Sequence, residues 1–262
     1  MDACTRWTPA SDVLIYFYWS FPRDAGVTVA PNLARPRVPR HPRAVFLGRP
    51  CEVSERTKAS NVNFTSSPAA TAILLVTTIY SLIALYQSPR LLDWSLFRPY
   101  WFLRRQQYPT VVTSALAHAD LMHLIFNMMT FFFFAFRLEL YLGTFWFVIL
   151  YALGLVVSHA GTWYKQRNNP DYASLGASGA ISAVLFASIV YFPDESIFII
   201  PIPIPIPAPL FAVAYLAYSI YASKQQHGRI NHDAHLGGAV TGLLFVALLT
   251  PGAYRQLMYS LF

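Results

Sequence analysis

Apolar residues in this chain run in long blocks, set apart by short charged stretches. No Asp, Glu, Lys or Arg falls between Lys58 and Arg90, between Glu139 and Lys165, or between Asp171 and Asp194. The same holds between Glu195 and Lys224 and between Asp233 and Arg255, with a sixth, shorter gap from Asp120 to Arg137. An α-helix crossing the hydrocarbon core needs about 20 apolar residues. Lipid offers backbone N–H and C=O groups no partners of its own, so such blocks predict helices. The predicted spans are 68–87, 117–136, 140–163, 175–192, 208–223 and 234–253. The second has the least room between its charges and draws on the neutral stretch from Pro109. The fifth is short because prolines occupy its front.

Composition agrees: 55% of residues are hydrophobic, only 12% are charged, and mean hydropathy is positive. The expected fold class is an all-α polytopic bundle of six transmembrane helices, an integral multi-pass protein in contact with the lipid bilayer. The net charge of +7 does not imply nucleic acid. Arg35, Arg37, Arg40, Arg43 and Arg49 lie in the leading segment, and basic flanks on membrane proteins set topology or touch anionic headgroups. Both cysteines, Cys4 and Cys51, are in that segment too, so the membrane core has neither a disulfide nor a cysteine metal site. No metal or cofactor is expected. Acidic Asp2 and Asp12 precede the apolar stretch 13–21, which argues against a signal peptide.

Residues 1–66 read as a poorly ordered basic extramembrane segment, broken by prolines in "RPRVPRHPR". Residues 67–254 form the membrane domain and 255–262 a short tail. Asn63-Phe64-Thr65 fits a glycosylation sequon. The connection 88–117 mixes Trp, Tyr, Phe and Arg, as a segment lying along the membrane surface does. In "PIPIPIPAP", residues 201–209, proline at every second position blocks α-helix, so an extended stiff linker with isoleucines buried against the bundle is expected. A helix then starts at Ala208, with Pro209 in its first turn.

Three polar clusters interrupt the apolar blocks, and polar groups at membrane depth are functional candidates. The first holds His118, His123 and Asn127; the last two, four apart, share a helix face. They either pack helices together or point at a developing oxyanion. The second is Gly176-Ala177-Ser178-Gly179, after the polar loop "KQRNNPDYAS". Ser178 falls in the first turn of a span, where unpaired N–H groups and the helix dipole stabilise an anion. The third is "HDAHLGGAVTG", in which His235, Gly238 and Gly242 share one stripe. Glycines spaced this way let two backbones approach closely. The fourth span has a matching row of Gly179, Ala183 and Ala187. Joining the rows brings Ser178 and His235 within reach, the geometry a serine nucleophile needs from its base.

From about residue 68 to 253 the chain resembles the rhomboid family of intramembrane serine proteases. The carrying residues are His118, His123 and Asn127; Gly176, Ala177, Ser178 and Gly179; and Ala234, His235, Gly238 and Gly242. Glu139, Gly143 and Phe147 match as well. The resemblance implies that Ser178 is the nucleophile and His235 its general base, a dyad without a carboxylate. His123, Asn127 and the Ser178 N–H would form the oxyanion hole, and His118 would be structural. Substrates would be single-pass or other membrane proteins, cut in or beside a transmembrane helix. The membrane would be the plasma or inner membrane if the source is bacterial. The alternative is a rhomboid-like pseudoprotease that binds membrane clients without cutting them; such relatives typically lose the serine or the histidine, and both are present.

Two positions depart from the family pattern. The family's Trp-Arg ahead of the second span is replaced by Pro109-Thr110, with Trp101, Arg104 and Arg105 nearby. Some rhomboids stack an aromatic ring on the catalytic histidine from one turn past the serine, where this chain has Ser182. Asp233 is set aside as a third catalytic member, because residues two apart on a helix point to nearly opposite sides. His227 and His232 read as loop residues. The loop charges favour the orientation opposite to the family's, unless the distal arginines hold the leading segment in the cytoplasm. The family's orientation is adopted.

Overall fold

The computed structural model describes residues 64–199, 202–225 and 231–261. Cys4, Cys51, the leading arginines, Asn63 of the sequon and His227 lie outside the described residues. In chain order the helices are α1 (Pro68–Tyr86), α2 (Pro89–Ser95), α3 (Pro99–Arg104), α4 (Thr110–Leu116), α5 (Leu121–Leu142), α6 (Thr144–Gln166) and α7 (Ser178–Tyr191). Strands β1 (Ser196–Ile199) and β2 (Ile202–Pro207) follow, then α8 (Ala208–Gln225), α9 (His232–Leu249) and α10 (Ala253–Leu261). The molecule is a mainly helical bundle, but it is not all-α.

Among the described residues, α1, α5, α6 and α9 are long and apolar enough to cross a membrane. Helix α7, with 14 residues, is shorter. At 1.5 Å per residue it spans about 21 Å, against about 30 Å of hydrocarbon. It lies inside the bundle: every residue from Gly179 to Tyr191 is buried. A helix apolar all round has no lipid-facing or water-facing side to prefer, and this one is covered by α5, α6 and α9.

The second predicted span is displaced. The stretch from Pro109 does not extend it, because α4 is a separate helix and the chain is non-helical from Ala117 to Asp120. The Asp120 side chain accepts from His123 N at 2.8 Å and starts α5. The helix then runs on through Arg137 and Glu139, where the charge pattern predicted an end. Glu139 is 1% exposed. Its carboxylate accepts from Ala69 N (3.1 Å), Ala70 N (2.7 Å) and Thr144 Oγ1 (2.8 Å). It supplies the N-terminus of α1 with an anion and acceptors that Ser67 does not, since the Ser67 hydroxyl donates instead to Phe136 O. A buried charge is tolerated here because both oxygens are engaged. Gly143, with φ +77°, makes the turn into α6 that brings Thr144 to the same carboxylate.

The proline-rich segment is extended, as expected, but it is paired. β2 lies antiparallel to β1, with Ile206 opposite Ile197 and Pro205 opposite Phe198. Ala208 N donates to Glu195 O at 2.9 Å. By alternation, Ile206 faces β1 with its backbone, whereas Pro205 and Pro207 turn theirs to the outer edge, where a missing N–H costs the ladder nothing. The expected burial of the isoleucines fails at Ile204, which is 61% exposed, whereas Ile206 is half-buried. The segment is the second strand of a hairpin whose first strand buries Ile197 among residues of α7 and α9.

Candidate active site

The turn carrying Ser178 is pinned from three sides. Phe97 and Ser174 exchange backbone hydrogen bonds at 3.0 Å each way, and Gly176 N donates to Ser114 O at 2.8 Å. These contacts come from the 88–117 connection, whose short helices hold the approach to the site. Gly176 has φ +113°, a conformation in which a side chain is strained. A Cβ there would lie 2.9 Å from His123 Cε1 and 3.0 Å from Nε2. The His123 ring thus rests on the glycine two residues before Ser178, and Ser178 opens α7.

The seam between α7 and α9 forms as the small-residue rows predict. A Cβ on Gly238 would overlap Gly179 O, and one on Gly242 would overlap Ala183 O. One on Gly179 would meet Ser158 of α6 and, at 3.1 Å, Ala234 O. Ser178 precedes Gly179 and His235 follows Ala234, so both are carried to the same end of one backbone-to-backbone contact. Among the described residues, no hydrogen bond joins Ser178 Oγ to His235.

His235 has another partner, which sequence reasoning did not find. Tyr215 Oη of α8 lies 2.9 Å from His235 Nδ1, and the two rings are nearly parallel at 19°, centroids 6.3 Å apart. Ser182 Oγ lies 3.4 Å from the same phenol oxygen. Asp233 turns elsewhere and accepts from Lys165 Nζ at 2.9 Å. The His232 ring stands edge-on to His235 at 6.0 Å.

The first cluster divides. His118 precedes α5, is fully buried, and places Nδ1 2.9 Å from Ser81 Oγ, which donates to Leu116 O. Its ring meets that of His123 edge-to-face at 5.0 Å. Asn127 is 8% exposed and donates from Nδ2 to His123 O at 3.0 Å. One of its two amide hydrogens is therefore committed to its own helix, and the other remains for a ligand.

A small pocket opens beside Ser178, lined by Ser114, Ser158, His159, Thr162 and Asn231. His159 Nε2 lies 2.9 Å from Ser114 Oγ. Asn231 donates to Thr162 Oγ1 at 2.9 Å while its side-chain oxygen caps α9 at Ala234 N. For Ser158, His159 and Thr162 the signal was their polar run within the third predicted span, but nothing local says that it faces Ser178. In the adjoining loop, burial and secondarily Asp233 push the Tyr172 phenol up to about 12, opposed by its hydrogen bond with Ser174, so it remains a neutral donor. Among the described residues, no three His, Cys, Asp or Glu are grouped to hold a metal ion.

Comparison with known proteins adds identity. A sequence model of the Rhomboid domain matches residues 105–252, a range containing every candidate site residue. The chain is similar to RHOMBOID-like protein 12, mitochondrial, of Arabidopsis thaliana: 29% identical over 164 residues, covering 56% of this chain and 48% of the relative. It is similar to Rhomboid protein 1, mitochondrial, of Saccharomyces cerevisiae: 27% identical over 199 residues, covering 74% and 57%. It is also similar to the rhomboid protein YdcA of Bacillus subtilis: 32% identical over 148 residues, covering 56% and 69%. The chain spans about half the length of the Arabidopsis relative. The expected bacterial plasma or inner membrane gains no support from the two mitochondrial relatives.

Proposed function

The chain belongs to the rhomboid family, and from that premise we propose that it is an intramembrane serine endopeptidase working through Ser178 and His235. The observation that carries this reading is the α7–α9 seam, in which glycine backbones meet and bring the two residues to one end of the contact. In the reaction, His235 Nε2 takes the Ser178 proton as Oγ attacks a substrate carbonyl. The resulting oxyanion is met by His123, by the free amide hydrogen of Asn127 and by the Ser178 N–H. His235 returns the proton to the leaving amine, and water then deacylates the ester. The hydroxyl-lined pocket beside Ser178 suits the supply of that water.

The reading includes six spans, α1, α5, α6, α7, α8 and α9, within a membrane domain of residues 67–254. The short α7 would be shielded from lipid by its neighbours. Substrates are membrane proteins whose helices unwind locally, because a hydrogen-bonded helix hides its carbonyls. A second reading, a client-binding relative that does not cut, has one observation in its favour: the Ser178–His235 hydrogen bond is not made. Catalytic hydrogen bonds are often loose without substrate, so the first reading stands ahead.

The test uses the full chain, purified in detergent and in liposomes, with a fluorophosphonate probe and a model transmembrane substrate. Labelling and cleavage are expected in the wild type and in neither Ser178→Ala nor His235→Ala. His123→Ala and Asn127→Ala should each lose roughly 10²–10³ in rate. Labelling that survives Ser178→Ala would overturn the assignment. A wild type that binds the substrate but neither cuts it nor takes the probe would favour the second reading.

A further inference from the structure

A dyad without a carboxylate leaves one question open: what holds the imidazole with the correct nitrogen toward serine. For Nε2 to accept the Ser178 proton, Nδ1 must carry the ring hydrogen, and that hydrogen needs an acceptor. The nearby carboxylate, Asp233, is taken by Lys165. The aromatic ring that some rhomboids place one turn past the serine is absent, since that position is Ser182.

We infer that Tyr215 is the positioning residue for His235, its phenol oxygen accepting the Nδ1 hydrogen and so holding Nε2 free as the base. This rests on the dyad proposed above. Tyr215 Oη is 2.9 Å from Nδ1, a full hydrogen bond. Ser182 Oγ, 3.4 Å from the phenol oxygen, is placed so that it can accept the phenol's own hydrogen, an arrangement that leaves a phenol lone pair facing the imidazole. The reverse arrangement, with Tyr215 donating to Nδ1, would leave Nε2 protonated and unable to act as base.

The phenol ring is itself held by packing. Phe186 of α7 lies 5.5 Å away and Phe211 of α8 5.7 Å away, centroid to centroid. Ser182 is 4% exposed. Ser182, Tyr215 and His235 thus form a chain across three helices, in which a tyrosine from α8 takes the place of the missing ring and supplies an acceptor that a ring alone does not. When His235 gains the Ser178 proton, the same oxygen still accepts from Nδ1, so the contact serves both protonation states.

The experiment compares wild type with Tyr215→Phe, which keeps the ring and removes the oxygen, and with Ser182→Ala, which removes the acceptor for the phenol hydrogen. The readouts are kcat and KM for the model substrate, the dodecyl sulfate unfolding midpoint, and ¹⁵N chemical shifts of labelled histidine. Tyr215→Phe should lower kcat per folded molecule about ten-fold, the rate equivalent of one neutral hydrogen bond, with KM unchanged and only a small fall in the midpoint. The His235 ¹⁵N signals should pass from an Nδ1–H pattern to a tautomer mixture. Ser182→Ala should move both readouts in the same direction by less. Unchanged kcat with unchanged ¹⁵N shifts in Tyr215→Phe would overturn the inference. So would a kcat loss matched by loss of folded protein. An inactive wild type whose ¹⁵N pattern still responds to Tyr215→Phe would overturn the protease reading and the catalytic role together, leaving only the hydrogen bond.

Discussion

Helices α7 and α8 flank the same histidine and are packed in opposite ways. In α7 every residue from Gly179 to Tyr191 is buried, and its backbone touches α9 directly. In α8, Leu210, Val213, Tyr218 and Tyr221 are each more than half exposed. The helix that opens with Ser178 is therefore located by main-chain contacts, which tolerate almost no displacement. The helix that carries Tyr215 reaches His235 through one long side chain. Close backbone packing is concentrated beside Ser178, and apolar side chains on α8 are left outward where lipid can cover them. The position of His235 is thus set by the seam first and by the outer helix second.

The largest break should come from separating the seam. Gly238→Leu forces a side chain into Gly179 O. It is expected to cost about 3 kcal/mol or more, since neither backbone can yield easily. Probe labelling should disappear, and the dodecyl sulfate unfolding midpoint should fall with it. Gly176→Ala is the next test, acting on the turn rather than the seam. The positive φ costs about 1–3 kcal/mol for a residue with a side chain, and the new methyl displaces the His123 ring. Labelling per folded molecule should drop, whereas a purely structural glycine would change only the midpoint.

Glu139→Gln weakens the scaffold at the start of α1, away from the α7–α9 seam. Removing the charge from the α1 N-terminus should cost about 1.5–3 kcal/mol, read in the same unfolding titration, with labelling per folded molecule unchanged. A loss of specific labelling would mean that the site is not insulated from that end. The smallest effects belong to the outward faces. Val213→Ala on α8 should alter the midpoint by no more than about 0.5 kcal/mol. Gly161→Ala in α6, where a Cβ would meet nothing within 4 Å, should stabilise by up to about 1 kcal/mol through helix propensity.

The seam could be anticipated because it is written locally. Spacings of three and four put His235, Gly238 and Gly242 on one stripe, and only small residues let such a stripe approach another. The end of α5 was misplaced because charge alone suggested a boundary at Arg137. In fact Glu139 is buried against the N-terminus of another helix about seventy residues earlier. The pairing of the proline segment was missed for the same kind of reason. Alternate prolines exclude helix locally, but they do not say whether a partner strand occupies the other edge.

Hydrophobic blocks, glycine spacing and the serine and histidine motifs are properties of neighbouring residues, so the mainly helical architecture, the rhomboid resemblance and the rows that can meet are readable from residue order. It takes the packing of whole helices to bring Tyr215 to His235, to line a pocket at Ser178 with hydroxyls from α4 and α6, and to turn Asp233 to Lys165. Those contacts join residues from 20 to 68 positions apart. Their existence depends on how whole helices pack against one another, which no local period encodes.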